Sequence, residues 1–155
     1  MTAVEIAGIF SIRFHQKVGA EIDEMKLHKM LYLAQRESLI RTGAPLFSEN
    51  IHAWKYGPVV VEVRRAYHAD LIPKSLMTDG VSHAELDILD YIFNTYAGKN
   101  SWSLSRLTHA EYSWQHAREA DSAENDDCVM TIDDISQDAR RVASRRAAIK
   151  ALGLA

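Results

Sequence analysis

Along the chain, apolar residues recur mostly every three or four positions, and glycine or proline stands where that rhythm stops. The first segment, Thr2 to His15, sets Ile6, Ala7, Phe10 and Phe14 on one side. Thr2 and Glu5 form a capping box ahead of it, and Gly19 closes it. Its apolar face is wide, which predicts a helix deep in the core. Residues 23–43 carry the clearest helical pattern, with Leu27, Met30, Leu31 and Ala34 at i, i+3, i+4 and i+7. Asp23 caps its start, and Gly43 sits where a left-handed residue ends a helix. After Pro45, the residues Phe47, Ile51, Ala53, Trp54 and Tyr56 predict an extended stretch or a short edge strand. Pro58 suits the first position of a helix, and Val59, Val63, Ala66 and Tyr67 share a helical face. A helix is therefore predicted from Pro58, against the β-branched composition of that run.

Further on, a loop over 70–81 holds Pro73 and Gly80. Ser82 and Glu85 form a second capping box before an apolar stripe of Leu86, Leu89, Ile92, Phe93 and Tyr96. Two shorter helices are predicted over 101–109 and 113–120, then an acidic, solvated loop over 121–127. A last helix opens at Thr131, with Ile135, Ala139, Val142 and Ile149 facing inward. The expected fold is mainly α: a compact single domain of about six helices with at most a small β element.

Composition narrows the class. A chain of 155 residues, 47% hydrophobic and 25% charged, suits one globular domain that needs no covalent staples. Its one cysteine, Cys128, forms no internal disulfide and no Cys-rich zinc site, which points to a reducing, cytoplasmic setting. No apolar run approaches the ~20 residues that span a bilayer, so no membrane partner is expected. The start, Met1-Thr2-Ala3-Val4-Glu5, lacks the basic region of a signal peptide. With 18 basic and 21 acidic residues, the chain has no global attraction to nucleic acid.

That near-neutral balance conceals a segregation. Residues 121–138 hold seven acids and no base, whereas 140–150 hold five bases and no acid. Complementarity to a helix dipole accounts for part of this. It does not account for Arg141 and Arg145, like charges at i, i+4. The basic helix end is thus also a candidate docking face.

Catalytic chemistry finds little footing. The seven histidines include no pair four apart with a Glu between them, so no metal site is expected. Cys128 follows two aspartates, and a lone cysteine with scattered histidines is a weak signal for nucleophilic catalysis. The acids Glu85, Asp87, Asp90, Asp133, Asp134 and Asp138 read as caps and solvated helix faces. Gly57-Pro58 makes no phosphate loop, because proline offers no N–H. No enzyme and no cofactor are expected. The segment Trp54-Lys55-Tyr56 leading to Val59 and Arg64 is more distinctive. Its aromatics serve either as core anchors or as a contact surface, where Trp, Tyr and Arg dominate binding energy.

Three ordered motifs add to this reading: Met25-Lys26-Leu27-His28-Lys29-Met30-Leu31-Tyr32-Leu33-Ala34-Gln35 with Gly43-x-Pro45-Leu46-Phe47; then Ala53-Trp54-Lys55-Tyr56-Gly57-Pro58-Val59-Val60; then Leu104-Ser105-x-Leu107-Thr108-His109-x-Glu111 with Trp114 and Arg118. Together they resemble the Panacea antitoxin domain family, which includes SocA-like and phage-associated antitoxins. The resemblance covers 1–136, and 137–155 is expected to be a basic helical extension packed on or continuing that domain. It implies a cytoplasmic antitoxin that neutralises a cognate protein toxin by direct binding. The alternatives it leaves open are a proteolytic adaptor delivering a toxin to an ATP-dependent protease, and a DNA-binding autoregulator. A second copy of the chain is a further partner to consider. The residues expected to bind the partner are Trp54, Lys55, Tyr56, Val59, Arg64, Arg141 and Arg145.

Overall fold

The computed structural model describes residues 1–76, 78–120 and 128–154, so the acidic loop expected over 121–127 lies outside the described residues. Seven helices and one small antiparallel sheet make up these residues, a mainly α fold as the sequence predicts. The first helix, α1 (Ala3–Val18), begins with the Thr2–Glu5 capping box. Its N-terminal half is the buried part, from Ala3 to Phe10, and the rest runs out to solvent.

At the centre lies α2 (Glu24–Thr42), capped by Asp23 and ended by Gly43 in the left-handed region. Every residue from Leu27 to Leu39 is buried, the polar ones included. A helix enclosed on all sides must satisfy its polar groups internally. Gln35 does so by accepting from the N–H groups of Leu46 and Phe47 and donating to the Phe47 carbonyl, which fixes the strand-like loop that follows. Ser38 donates to the Ala44 carbonyl in the same loop.

Two strands follow, β1 (Ile51–Trp54) and β2 (Gly57–Val59), and β3 (Val129–Met130) completes a sheet of order β2-β1-β3. Two expectations are corrected here. The segment before Gly57 supplies the central strand, not an edge. Pro58 and Val59 belong to β2, and the helix α3 (Val61–His68) starts three residues after Pro58. The physical reason lies in the register. Pro58 stands opposite Ala53, whose N–H points the other way, to the carbonyl of Cys128. No ladder bond is asked of Pro58, so an edge strand tolerates it, and the β-branched preference of Val59 and Val60 prevails.

The helices α4 (His83–Tyr96), α5 (Ser101–His109), α6 (Tyr112–Ala120) and α7 (Ile132–Ala151) follow as expected in position. The Ser82–Glu85 capping box opens α4, and Thr131 caps α7. Along α7, Ile135 and Ala139 are buried and Val142 is half-buried, but Ile149 is exposed, contrary to expectation, because residues 147–152 are exposed all round the helix end. Asp134 and Asp138 also depart from the solvated role expected of them: both are buried.

Candidate functional site

The hairpin β1–β2 turns through Lys55 and Tyr56, between the paired residues Trp54 and Gly57. Alternation along β1 sends Ile51 and Ala53 into the core and leaves His52 and Trp54 on the opposite, half-buried face. Trp54 is held there from two sides. Its carbonyl accepts from the indole N–H of Trp114 at 3.0 Å, and the Arg64 guanidinium lies 5.3 Å from its ring centroid. Arg64 is itself fixed, donating to Glu24 Oε1 at 2.8 Å. Cations over tryptophan faces contribute ~0.5–2 kcal/mol, most where water is excluded.

Glu24 is the clasp between α2 and α3, receiving His28 and His68 as well as Arg64. Burial pushes its carboxyl up, yet the hydrogen bond from His28 and the neighbouring cations outweigh this and hold it below its ordinary value. His28 is buried, and its Nδ1 accepts from the N–H of Val60 at 3.2 Å. The ring's proton therefore sits on Nε2 and points at Glu24 Oε1, 3.3 Å away. Burial, with Arg64 and Lys29 adding to it, brings the imidazole down to about 4 against the opposing pull of Glu24.

Lys55 and Tyr56 project outward. Tyr56 is 64% exposed and carries the Lys55 ammonium 5.5 Å from its ring centroid. Beside the hairpin, α6 contributes Trp114, stacked on His109 at 4.2 Å, with the Arg118 guanidinium 5.9 Å from the Trp114 ring and donating to the Ala53 carbonyl. Burial, with the charges of Lys29 and Arg118, lowers the His109 imidazole, while the backbone of Tyr56 works the other way. The result is a face of aromatic rings, each paired with a cation or a histidine. Trp54, Lys55, Tyr56 and Arg64 lie together on it, and Val59 is half-buried at its edge in β2.

The two arginines of α7 part company. Arg141 donates to Glu111 Oε1 at 3.1 Å and lies 3.5 Å from Asp138 Oδ1. Glu111 also takes Arg36 at 3.0 Å and the hydroxyl of fully buried Tyr32 at 2.7 Å. Asp138 accepts from the N–H groups of Tyr112 and Ser113, so it caps the start of α6. Burial and the two carboxylates drive the Tyr32 hydroxyl well above its ordinary value. Arg141 is thus half committed to an internal network, which answers the like-charge puzzle with Arg145. Arg145 is exposed, with no ion pair among the described residues. Its neighbour Arg146 turns back to Glu37 and to the Tyr91 hydroxyl. Through α6 the two regions are joined: Asp138 caps its first turn, and Trp114 and Arg118 grip β1.

Sequence reasoning set aside His109 as an ordinary histidine and did not place Trp114 or Arg118 on the contact face, or Lys29 beneath it. The third motif contains His109, Trp114 and Arg118, and the last two reach the hairpin across more than 50 residues, whereas Lys29 belongs to the first motif. Among the described residues, no three His, Cys, Asp or Glu side chains gather as metal ligands, and no helix is long and apolar enough to cross a membrane. The profile of the family described as "Antitoxin SocA-like, Panacea domain" matches residues 27–115, a span that contains α2, the hairpin, α3, α4, α5 and the start of α6. No curated protein and no solved structure matches the chain.

Proposed function

Because the chain belongs to the SocA-like antitoxin family that carries the Panacea domain, we propose that it binds a cognate protein toxin and silences it by direct contact in the cytoplasm. The observation that carries this reading is the match over residues 27–115, which includes the hairpin face. An inhibitor of this kind needs a preformed surface with a few anchored side chains rather than a catalytic cleft. The Trp54 face supports that role: Glu24 fixes Arg64 over the Trp54 ring, and Trp114 bonds the Trp54 carbonyl. Such preorganisation lowers the ordering cost of association. Trp54, Lys55, Tyr56, Val59 and Arg64 form the principal contact. The exposed Arg145, with Arg141 beside it, forms a second one on residues 137–155, a basic extension suited to its own partner.

Co-expression with the product of the adjacent gene tests the reading. The chain should restore growth when that product is toxic alone, and Trp54→Ala and Arg145→Glu, checked for folding by circular dichroism, should each weaken rescue. Undiminished rescue by both folded variants removes these surfaces from consideration. Absence of any complex between the wild-type chain and the toxin defeats the direct-binding reading itself.

A further inference from the structure

Lys29 stands on the buried run of α2 and is 1% exposed. Its stem lies under the hairpin: a Cβ placed on Gly57 would come within 3.1 Å of Lys29 Cε and 3.5 Å of Thr108 Oγ1. Every other charged side chain buried on α2 has a partner, Arg36 in Glu111 and Glu37 in Arg41 and Arg146. Lys29 has no hydrogen bond and no ion pair among the described residues. Polar side-chain atoms sealed from solvent without a partner are Arg36 Nε, Glu49 Oε2, His52 Nδ1 and His109 Nε2. The Lys29 ammonium is not among them, so it keeps a small contact with solvent.

Asp23 acts on Lys29 through space without pairing with it. A cation stripped of most of its water, with no counter-charge in contact, gains more from an incoming anion than an exposed one does. The turn beside Gly57 adds a second cation. Lys55, on the turn, has no ion pair among the described residues and lies over the Tyr56 ring. His109, whose Nε2 has no hydrogen bond, lies near enough to be influenced by the Lys29 charge. Aromatic rings are close in the chain or through His109: Tyr56 precedes Gly57 and is exposed, and Trp114 stacks on His109.

We propose that Lys29 is the floor of a carboxylate socket, and that an Asp or Glu side chain of the protein partner enters it beside Gly57. This deepens the toxin-binding reading and rests on it for the identity of the partner. It assigns that partner an acidic anchor placed between hydrophobic contacts to Tyr56 and Trp114. Lys29 then acts as a desolvated hot spot, while Lys55 at the rim steers approach.

A toxin-independent experiment decides the socket. The Lys29 side-chain resonances of the wild-type protein are followed by NMR during titration with a capped hexaglutamate peptide, a capped hexaglutamine peptide and inorganic phosphate, at constant ionic strength. A saturable shift with hexaglutamate that exceeds those of the other two is expected. No shift, or an equal shift with phosphate, overturns the assignment of a carboxylate socket. In the complex, Lys29→Met should weaken toxin binding at least tenfold, mostly through faster dissociation, without lowering the melting temperature. Wild-type affinity in folded Lys29→Met also overturns it. Failure of the wild-type chain to bind any toxin is a failure of the antitoxin reading instead, and the peptide titration still decides the socket.

Discussion

Acidification from pH 7 to pH 4 should remove about 3 kcal/mol of stability at a single residue, His28. The size follows from the structure. An exposed imidazole takes up its proton near 6.5, whereas that of His28 is brought down to about 4 by burial, with Arg64 and Lys29 contributing. At ~1.4 kcal/mol for each pH unit between the two, the difference is about 3 kcal/mol. Geometry gives the same direction independently. Nδ1 is occupied as an acceptor from Val60 N–H, so a proton there sets two donors against each other and breaks the contact that anchors the start of α3.

The sign follows from which state binds protons. Above pH 6.5 neither state is protonated at this site, and its stabilising contribution is complete. Between 6.5 and about 4 the unfolded chain takes up the proton and the folded one does not, so stability falls with pH. Below about 4 both states are protonated and the loss levels off. Glu24, held below its ordinary value, keeps its charge through most of that window. Urea denaturation of the wild type and of His28→Asn, at half-unit steps from pH 7 to pH 4, isolates the contribution. Asparagine retains an acceptor for Val60 but does not titrate, so the wild type's advantage at pH 7 should shrink or reverse toward pH 4. Parallel stability curves for the two proteins would refute the reasoning, as would a His28 ring that titrates near 6.5 by NMR in the folded state.

Other expectations are as direct. Glu111→Gln leaves Arg36 and Arg141 short of a shared carboxylate and should cost about 3 kcal/mol by chemical denaturation, since breaking a buried ion pair leaves a charge behind. Arg145→Ala, by contrast, should change stability by less than about 0.5 kcal/mol, as expected of an unpaired surface side chain. Gly57→Ala should cost about 1–3 kcal/mol, because the residue sits at φ +132° and the added methyl presses on Lys29. Arg64→Ala should weaken toxin rescue while lowering the melting temperature only slightly, because it frees the Trp54 ring on an already half-exposed face.

Where local signals and tertiary demands agreed, the chain was legible. Thr2, Asp23, Ser82 and Thr131 each carry their helix start in the side chain, and each forms the predicted cap. At Pro58 two local signals conflicted. Its ring suits both a first helical turn and an edge strand, and only the pairing of Ala53 with Cys128 on the far side of β1 decides between them. That pairing spans some 75 residues, beyond the reach of any sequence window. The charges of α7 were misjudged for a related reason. A stripe of acids followed by bases looks solvated until α6 supplies two free N–H groups for Asp138 and Glu111 supplies an acceptor for Arg141.

The same distinction separates what the motifs show from what they conceal at the candidate site. Trp54, Lys55 and Tyr56 announce themselves as an unusual aromatic–basic run, but whether they face the core or a partner depends on what holds them. Trp114 bonds the Trp54 carbonyl and Arg118 the Ala53 carbonyl, so α6 fixes the strand through its backbone and leaves the side chains of the turn outward. A helix bound to a strand by side chain-to-backbone bonds places few constraints on the residues it displays. Diversity at Lys55 and Tyr56 is therefore compatible with one fold, whereas Gly57, pressed against Lys29, is not replaceable in the same way. The proposed toxin-binding reading therefore assigns partner specificity to the turn and to Arg145, with Lys29, Glu24 and Trp114 as the framework that holds the hairpin face.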